Sequence, residues 1–102
     1  MAKRSKYEQT CHDAAVRRSA AALKANGWRV KADVNGYKRP PTLSVDGENR
    51  RPDILATKNG QKRIIEWETP SSIDKDRKQH QVFRKYARRH QNTHSSVKQC
   101  GL

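Results

Sequence analysis

"RPDILATKNGQKRIIEWETP", residues 51–70, decides the fold, because two runs of β-forming residues lie on either side of Asn59-Gly60. An Asn-Gly pair between such runs is the strongest short-range signal for a β-hairpin with a two-residue turn. A turn of that length also fixes which residues of the two strands face each other. The predicted pairs are Lys58 with Gln61, Leu55 with Ile64, and Asp53 with Glu66.

Three of the ten carboxylates of the chain lie in this hairpin, at Asp53, Glu66 and Glu68. Because side chains alternate along a strand, all three are expected to project from one face of the sheet, with apolar core on the other. Like charges on directly opposed residues destabilise a sheet unless positive charge lies between them. Three interpretations stay open: a salt-bridge network, a protonated carboxyl, or a site for Mg²⁺ or Mn²⁺.

The composition points to a polyanionic partner. The chain of 102 residues carries 23 Lys and Arg against 10 Asp and Glu, a formal net charge of +13. This length fits a single domain over residues 1–102. So large a positive excess favours nucleic acid, with DNA expected ahead of RNA. A homodimer is compatible with the small surface that one such domain offers to a duplex.

The same composition disfavours several classes of protein. No stretch approaches the roughly 20 apolar residues of a membrane span, and the first residues lack the apolar run of a signal peptide. A soluble, cytoplasmic protein without a membrane partner is therefore expected. Cys11 and Cys100 belong to no CxxC pair, so reduced thiols are expected. A zinc site from these cysteines with His90 and His94 lacks paired short spacings and is disfavoured.

The first predicted helix spans residues 6–26. Ser5 and Glu8 have the spacing of a capping box at its start, and Asn26-Gly27 is a natural stop at its end. Its packing face is expected to contain Tyr7 and several alanines, a small-residue surface that suits close packing on a sheet.

The second predicted helix, residues 71–91, has an apolar side and a basic side. Val82, Phe83 and Tyr86 form the apolar sector, and His80 is expected at the edge of the core. The basic side is expected to contact the phosphate backbone rather than base edges. Together with two arginines next to the acidic end of the hairpin, the predicted nucleic-acid-binding residues are Arg50, Arg51, Arg77, Arg84, Lys85, Arg88 and Arg89.

The remaining segments complete the order of elements. We expect a basic flexible tail over residues 1–5, a strand over 28–34, an excursion over 35–50, the hairpin over 51–68, and a tail or short last strand over 92–102. Two helices packed against three or four strands make an α/β or α+β sandwich.

Pro52-Asp53, followed on the next strand by Glu66-Trp67-Glu68, resembles the motif of the restriction-endonuclease-like, or PD-(D/E)xK, nuclease superfamily. The resemblance covers most of the chain. It implies an αβββα(β) core with a small mixed sheet between two helices, and phosphodiester hydrolysis by a metal-activated water. It also implies that Asp53 and Glu66 bind Mg²⁺ or Mn²⁺. Glu8 resembles the further metal-binding acid that many members place on the first helix, although its spacing from Ser5 equally makes it a capping residue.

One position departs from the family pattern, because Glu68 stands where the motif has a lysine. In the family that lysine is thought to orient the water and to stabilise developing negative charge. Lys78 on the second helix is the best substitute, with Lys75 as another. Alternatively, Glu68 is itself a further metal ligand, or the chain binds nucleic acid without cutting it.

The predicted function is therefore a metal-dependent nuclease or nuclease-like protein. Its expected catalytic residues are Asp53, Glu66, Glu68 and Lys78, and its expected metal ligands are Asp53, Glu66 and Glu8. A non-catalytic nucleic-acid-binding module on the same fold is the first alternative. A basic assembly protein that binds an acidic partner is the second.

Overall fold

The computed structural model of the protein describes residues 5–100, so most of the predicted basic tail lies outside the described residues. The elements follow in the order α1 (Lys6–Ala25), β1 (Arg29–Ala32), β2 (Leu43–Val45), β3 (Glu48–Arg50), β4 (Ile54–Lys58), β5 (Gln61–Glu68), α2 (Arg77–Arg89) and β6 (Thr93–Gln99). The segment that the sequence left as a tail or a short strand is therefore a strand of seven residues.

Four strands form one mixed sheet in the order β1-β4-β5-β6. β4 is antiparallel to both β1 and β5, whereas β6 is parallel to β5. The parallel pair requires a crossover connection, which α2 supplies. The predicted fold class, a small mixed sheet of three to four strands flanked by two helices, is confirmed.

The β4–β5 hairpin has the predicted register. Lys58 pairs with Gln61 and Leu55 with Ile64. The turn residues Asn59 and Gly60 have φ values of 50° and 80°. Positive φ at both central positions is what a two-residue type I′ turn requires, which is why an Asn-Gly pair specifies the register.

The sheet separates two apolar clusters, one under each helix. On the α1 side the cluster consists of Val16, Ala20, Leu23, Ala32, Ile54, Ala56 and Ile65. On the α2 side it consists of Leu43, Leu55, Ile64 and Phe83. Adjacent residues of β5 therefore face different helices. Glu66 is two residues after Ile64, so its side chain lies on the same side of the sheet, toward α2.

The packing face of α1 differs from the prediction. Tyr7 is 72% exposed, whereas the buried residues of α1 are His12, Ala15, Val16, Ala20 and Leu23. The helix turns its larger aliphatic side chains to the sheet because they bury more apolar area than alanines do. This rotation also brings His12 to the sheet, where it contacts the acidic cluster.

The excursion between β1 and β4 contains a second, two-stranded sheet formed by β2 and β3. Its buried residues Leu43 and Val45 anchor it, and Leu43 packs in the cluster below α2. Asp46 and Gly47 form its turn with φ values of 52° and 79°. Within residues 5–100, neither helix combines the length and apolar character needed to cross a bilayer.

Candidate metal and nucleic-acid site

The acidic cluster lies at one end of the sheet, between the two helices. Asp53 immediately precedes β4, and Glu66 and Glu68 are at the end of β5. His12 approaches from α1 and Gln79 from α2. Asp53 and Glu66 are therefore neighbours, as the predicted register requires. A residue of α1 contacts the carboxylate of Asp53, and a residue of α2 contacts that of Glu66.

Asp53 is oriented by the backbone of β5 and by α1. Its Oδ2 accepts a hydrogen bond of 2.8 Å from the Trp67 amide and lies 3.2 Å from Nε2 of His12. Nδ1 of His12 lies 3.0 Å from Oδ1 of Asp13. The imidazole is only 5% exposed and bridges two carboxylates, so it fixes the position of Asp53 relative to α1.

Glu66 is 2% exposed, and both of its oxygens accept hydrogen bonds. The Asp53 amide donates to Oε1 at 2.8 Å, and the Gln79 side chain donates to Oε2 at 2.9 Å. Burial, together with the negative charge of Asp53, raises the pKa of Glu66 well above its ordinary value of 4.5. The hydrogen bonds favour the ionised form but do not outweigh burial.

Glu68 is directed to the connection between β5 and α2. Ser72 donates to its Oε2, and Nε2 of His80 lies 3.2 Å from its Oε1. Burial raises the pKa of Glu68, and the bonds from Ser72 and His80 oppose that rise. The residue at the place of the motif lysine therefore ties this connection and α2 to the sheet, and His80 is the core-edge residue that the sequence predicted.

Glu8 is bound to the same connection rather than to the other acids. Its carboxylate accepts hydrogen bonds from the hydroxyl and the amide of Ser71, at 2.9 and 3.2 Å. The hydroxyl bond from Ser71 is the main reason that the pKa of Glu8 is lowered. Ser5 accepts from the Glu8 amide at 3.1 Å, as the capping spacing predicted.

Lys78 takes a different position from the expected one. Its side chain is 72% exposed, and its ammonium lies 3.3 Å from Glu48 on β3. Successive helical residues point about 100° apart, so Lys78 faces the β2–β3 hairpin and the neighbouring Gln79 faces the sheet. Gln79, and not Lys78, is the α2 residue that reaches Glu66.

Asp53 and Glu66 are two adjacent carboxylates, which is the ligand type that a divalent cation of the Mg²⁺ class takes. Such a cation is usually held through one or two carboxylates and keeps several waters. Oδ1 of Asp53 accepts no hydrogen bond from residues 5–100. Over the same range, no group of three or more His, Cys, Asp or Glu side chains is arranged to hold a metal ion. Glu8 and Glu68 are bonded to Ser71, Ser72 and His80 instead, so Asp53 and Glu66 are the two predicted ligands that lie next to each other.

The predicted nucleic-acid-binding residues fall into two groups. Several are neutralised by acids of the β2–β3 hairpin or of the α2 start: Arg89 and Lys85 contact Asp46, Arg50 contacts Glu48, and Arg77 contacts Asp74. Arg51 reaches Thr42 at 3.4 Å, and its buried Nε has no partner within residues 5–100. Arg84 and Arg88 are exposed, and neither forms an ion pair with the described acids.

Sequence reasoning missed His12 and Ser72. His12 follows Glu8 by one helical turn, so the two share a face of α1, and that spacing was the signal that could have found it. Ser72 lies in a connection whose path depends on how α2 docks. No local pattern marks such a residue.

Two solved structures share this architecture. One is an FdxN element excision controlling factor protein from Anabaena variabilis, with a TM-score of 0.54 and 25% identity over 85% of this chain and 67% of that one. The other is an XisH family protein from Nostoc punctiforme, with a TM-score of 0.52 and 25% identity over 87% and 68%.

Proteins of this kind have a restriction-endonuclease-like fold, so the fold implied by the sequence resemblance is confirmed. The match does not by itself establish a PD-(D/E)xK motif. No protein-family model matches the chain, and neither does any curated protein.

Proposed function

We propose that the chain is a divalent-metal-dependent phosphodiesterase that acts on nucleic acid, with DNA as the first substrate to test. The observation that carries the proposal is the position of Glu66, which is buried beside the like charge of Asp53. Such an arrangement destabilises a fold unless a proton or a bound cation compensates the charge. Strongly perturbed carboxylates next to a specific charge are characteristic of functional sites.

In this proposal Asp53 and Glu66 hold Mg²⁺ or Mn²⁺. The bound cation would polarise a phosphoryl oxygen and make water nucleophilic near neutral pH. His12 keeps Asp53 in place through Oδ2, and Gln79 keeps Glu66 in place through Oε2. Glu68 has a positioning role. Its hydrogen bonds to Ser72 and His80 hold the connection between β5 and α2, and α2 places Gln79 next to Glu66.

The net charge of +13 supports a nucleic-acid substrate, since phosphate contacts supply most of the sequence-independent affinity for DNA. The name of the Anabaena variabilis structure describes control of the excision of an element. Excision control is one task to which a small metal-dependent phosphodiesterase of this fold is suited.

The test combines cleavage with metal binding. Purified protein is incubated with linear, nicked and branched DNA in Mn²⁺ or Mg²⁺, and Asp53→Asn and Glu66→Gln are expected to abolish cleavage. Mn²⁺ is also expected to raise the Tm of the wild type and not that of Asp53→Asn, because a ligand that binds only the folded state stabilises it. Glu48→Gln, which removes an acid on β3, serves as the matched control. The absence of both cleavage and an Asp53-dependent Tm shift would contradict the proposal.

A second function, binding of nucleic acid without cleavage, is favoured by one observation. Within residues 5–100, no lysine or arginine forms an ion pair with Asp53 or Glu66, and Lys78 is engaged by Glu48. This function predicts salt-sensitive DNA binding that survives Asp53→Asn and Glu66→Gln, with no cleavage in any metal. The cleavage and binding assays together separate the two functions.

A further inference from the structure

An open groove with a volume of about 680 Å³ separates α2 from β6. α2 contributes Arg84 and Arg88 to its lining, together with Lys85, whose ammonium lies 4.0 Å from Asp46. β6 contributes three polar residues, Thr93, His94 and Ser95. Among residues 5–100, no acid lines the groove. The floor is the start of the edge strand β6, whose outer backbone groups pair with no other strand of residues 5–100.

The two flanks of α2 differ in how their positive charge is used. On the flank toward the β2–β3 hairpin, Arg89 makes two hydrogen bonds to Asp46, at 2.8 and 3.0 Å, and Lys78 pairs with Glu48. On the groove flank, Arg84 and Arg88 are exposed, one turn apart, and have no acidic partner within residues 5–100. Positive potential on this helix is therefore concentrated on the groove side.

A second basic groove adjoins the first across β6. It has a volume of about 420 Å³ and is lined in part by Arg63, Lys98 and the same His94 and Ser95. No acid from the described part of the chain lines this groove either. β6 is thus a narrow edge with cations on both of its sides, a surface complementary to a polyanion.

The grooves lead toward the acidic cluster. β6 runs parallel to β5, with Ser95 opposite Ile64 and Val97 opposite Glu66. At a rise of roughly 3.3 Å per residue, the groove floor at Ser95 is about 7 Å along the strand from the level of Glu66. A chain of phosphates in the groove can therefore extend to the carboxylate end of the sheet.

We infer that the groove between α2 and β6 receives a phosphodiester backbone, with Arg84 and Arg88 as its main phosphate contacts. The opposite flank of α2 contributes little, because its cations are already paired with Asp46 and Glu48. This inference rests on the proposed function, for which it supplies the substrate-binding surface.

The test compares two double variants that change the net charge equally. Arg84→Gln with Arg88→Gln alters the groove, and Lys78→Gln with Arg89→Gln alters the opposite flank. Binding of a fluorescein-labelled 20-base-pair DNA duplex is measured by anisotropy in EDTA between 50 and 200 mM KCl. The groove variant is expected to bind about 10-fold more weakly and to lower the salt slope by about 2, whereas the control changes the slope by less than about 0.5.

Each other outcome contradicts a defined part of the argument. Equal weakening by the two variants, or no weakening by the groove variant while wild-type binding persists, overturns the groove as the site and leaves the proposed function standing. A wild-type protein that binds no DNA overturns both. If the groove variant changes the sedimentation coefficient and not DNA binding, the groove is a contact between copies of the chain, and the inference is wrong.

Discussion

At Glu66, hydrogen bonding and burial act in opposite directions. Two donors, the Asp53 amide and Gln79, favour the carboxylate, whereas the loss of water and the charge of Asp53 favour the acid. The pKa is raised, so burial prevails. The ionised side chain therefore lowers the stability of the fold, a property that carboxylates of functional sites commonly have.

We expect Glu66→Gln to stabilise the protein at pH 7. The pKa of Glu66 is higher in the folded chain than its ordinary 4.5, so its stabilising effect is present below pH 4.5 and is lost as the pH rises through the folded value. Glutamine does not ionise, so the variant is expected to keep that stability at pH 7. The expected gain in the free energy of unfolding is on the order of 1 kcal/mol, or about 4–8 °C in Tm. Thermal melts at pH 7 and pH 4 check this, and the gain is expected to vanish at pH 4.

Glu48→Gln provides a control of opposite sign for that experiment. Lys78 lowers the pKa of Glu48 below its ordinary value, so this carboxylate stabilises the fold above pH 4.5 and loses that effect as the pH falls. The variant is therefore expected to have a slightly lower Tm at pH 7 and an unchanged one at low pH. Parallel shifts in both variants would show that the effect at Glu66 is not due to its burial.

His12→Ala is expected to destabilise the protein by about 1–3 kcal/mol, because it removes a buried partner of both Asp53 and Asp13. The midpoint and slope of urea unfolding measure the loss. His12→Gln restores a donor toward Asp53 and is expected to recover part of it. An alanine variant as stable as the wild type would mean that the imidazole does not hold Asp53.

The residues of the site differ in how far the sequence could predict them. Asp53 and Glu66 were predictable because the Asn59-Gly60 turn fixes the register between their strands. Glu8 and Lys78 were not, because the direction of a helical side chain depends on how the helix is rotated about its axis. That rotation is set by tertiary packing, which no local spacing specifies.

At the scale of elements, the β2–β3 hairpin acts as an acidic strip along α2. Its turn residue Asp46 contacts Arg89 and Lys85, and Glu48 contacts Lys78. The sequence predicted only an excursion over residues 35–50, and its position against α2 arises from the burial of Leu43 in the core. Half of the basic face predicted from the helical pattern is neutralised by this contact.

Releasing that contact is expected to strengthen DNA binding. Asp46→Asn removes the partner of Arg89 and Lys85, and we expect a gain of a few-fold in affinity with a steeper salt dependence. Asp33→Asn makes the same change in net charge at a residue that contacts Arg39 on the excursion instead. Anisotropy titrations compare the two variants. Equal gains would show that only net charge matters.

At the scale of the whole molecule, residues 5–100 contain 21 of the 23 Lys and Arg and all 10 Asp and Glu, in a body with a radius of gyration of 13.1 Å. Self-repulsion at this density opposes the compact state. Surface ion pairs such as Arg39 with Asp33 contribute about 0–1 kcal/mol each and are screened by the same salt. Repulsion involves every cation, so its screening is expected to dominate.

Added salt is therefore expected to raise the Tm. An increase of a few degrees in Tm is expected at pH 7 when NaCl is raised from about 0.02 to about 0.5 M, because the Debye length is below about 5 Å at the higher concentration. A variant with Lys24→Gln and Lys31→Gln, both exposed positions, is expected to show a smaller increase. A Tm that falls with salt would mean that ion pairs outweigh repulsion.

The parallel pairing of β6 with β5 also has a consequence for the order of folding. The β4–β5 hairpin closes through a two-residue turn, whereas Lys62 meets Thr93 only after the whole crossover has formed. Contacts so distant in sequence form slowly, because the entropy of closing the intervening loop is lost before they form. During synthesis, β5 therefore keeps an open edge until Thr93–Gln99 has emerged from the ribosome. In that interval, the strand that holds Glu66 is exposed to pairing with other nascent chains.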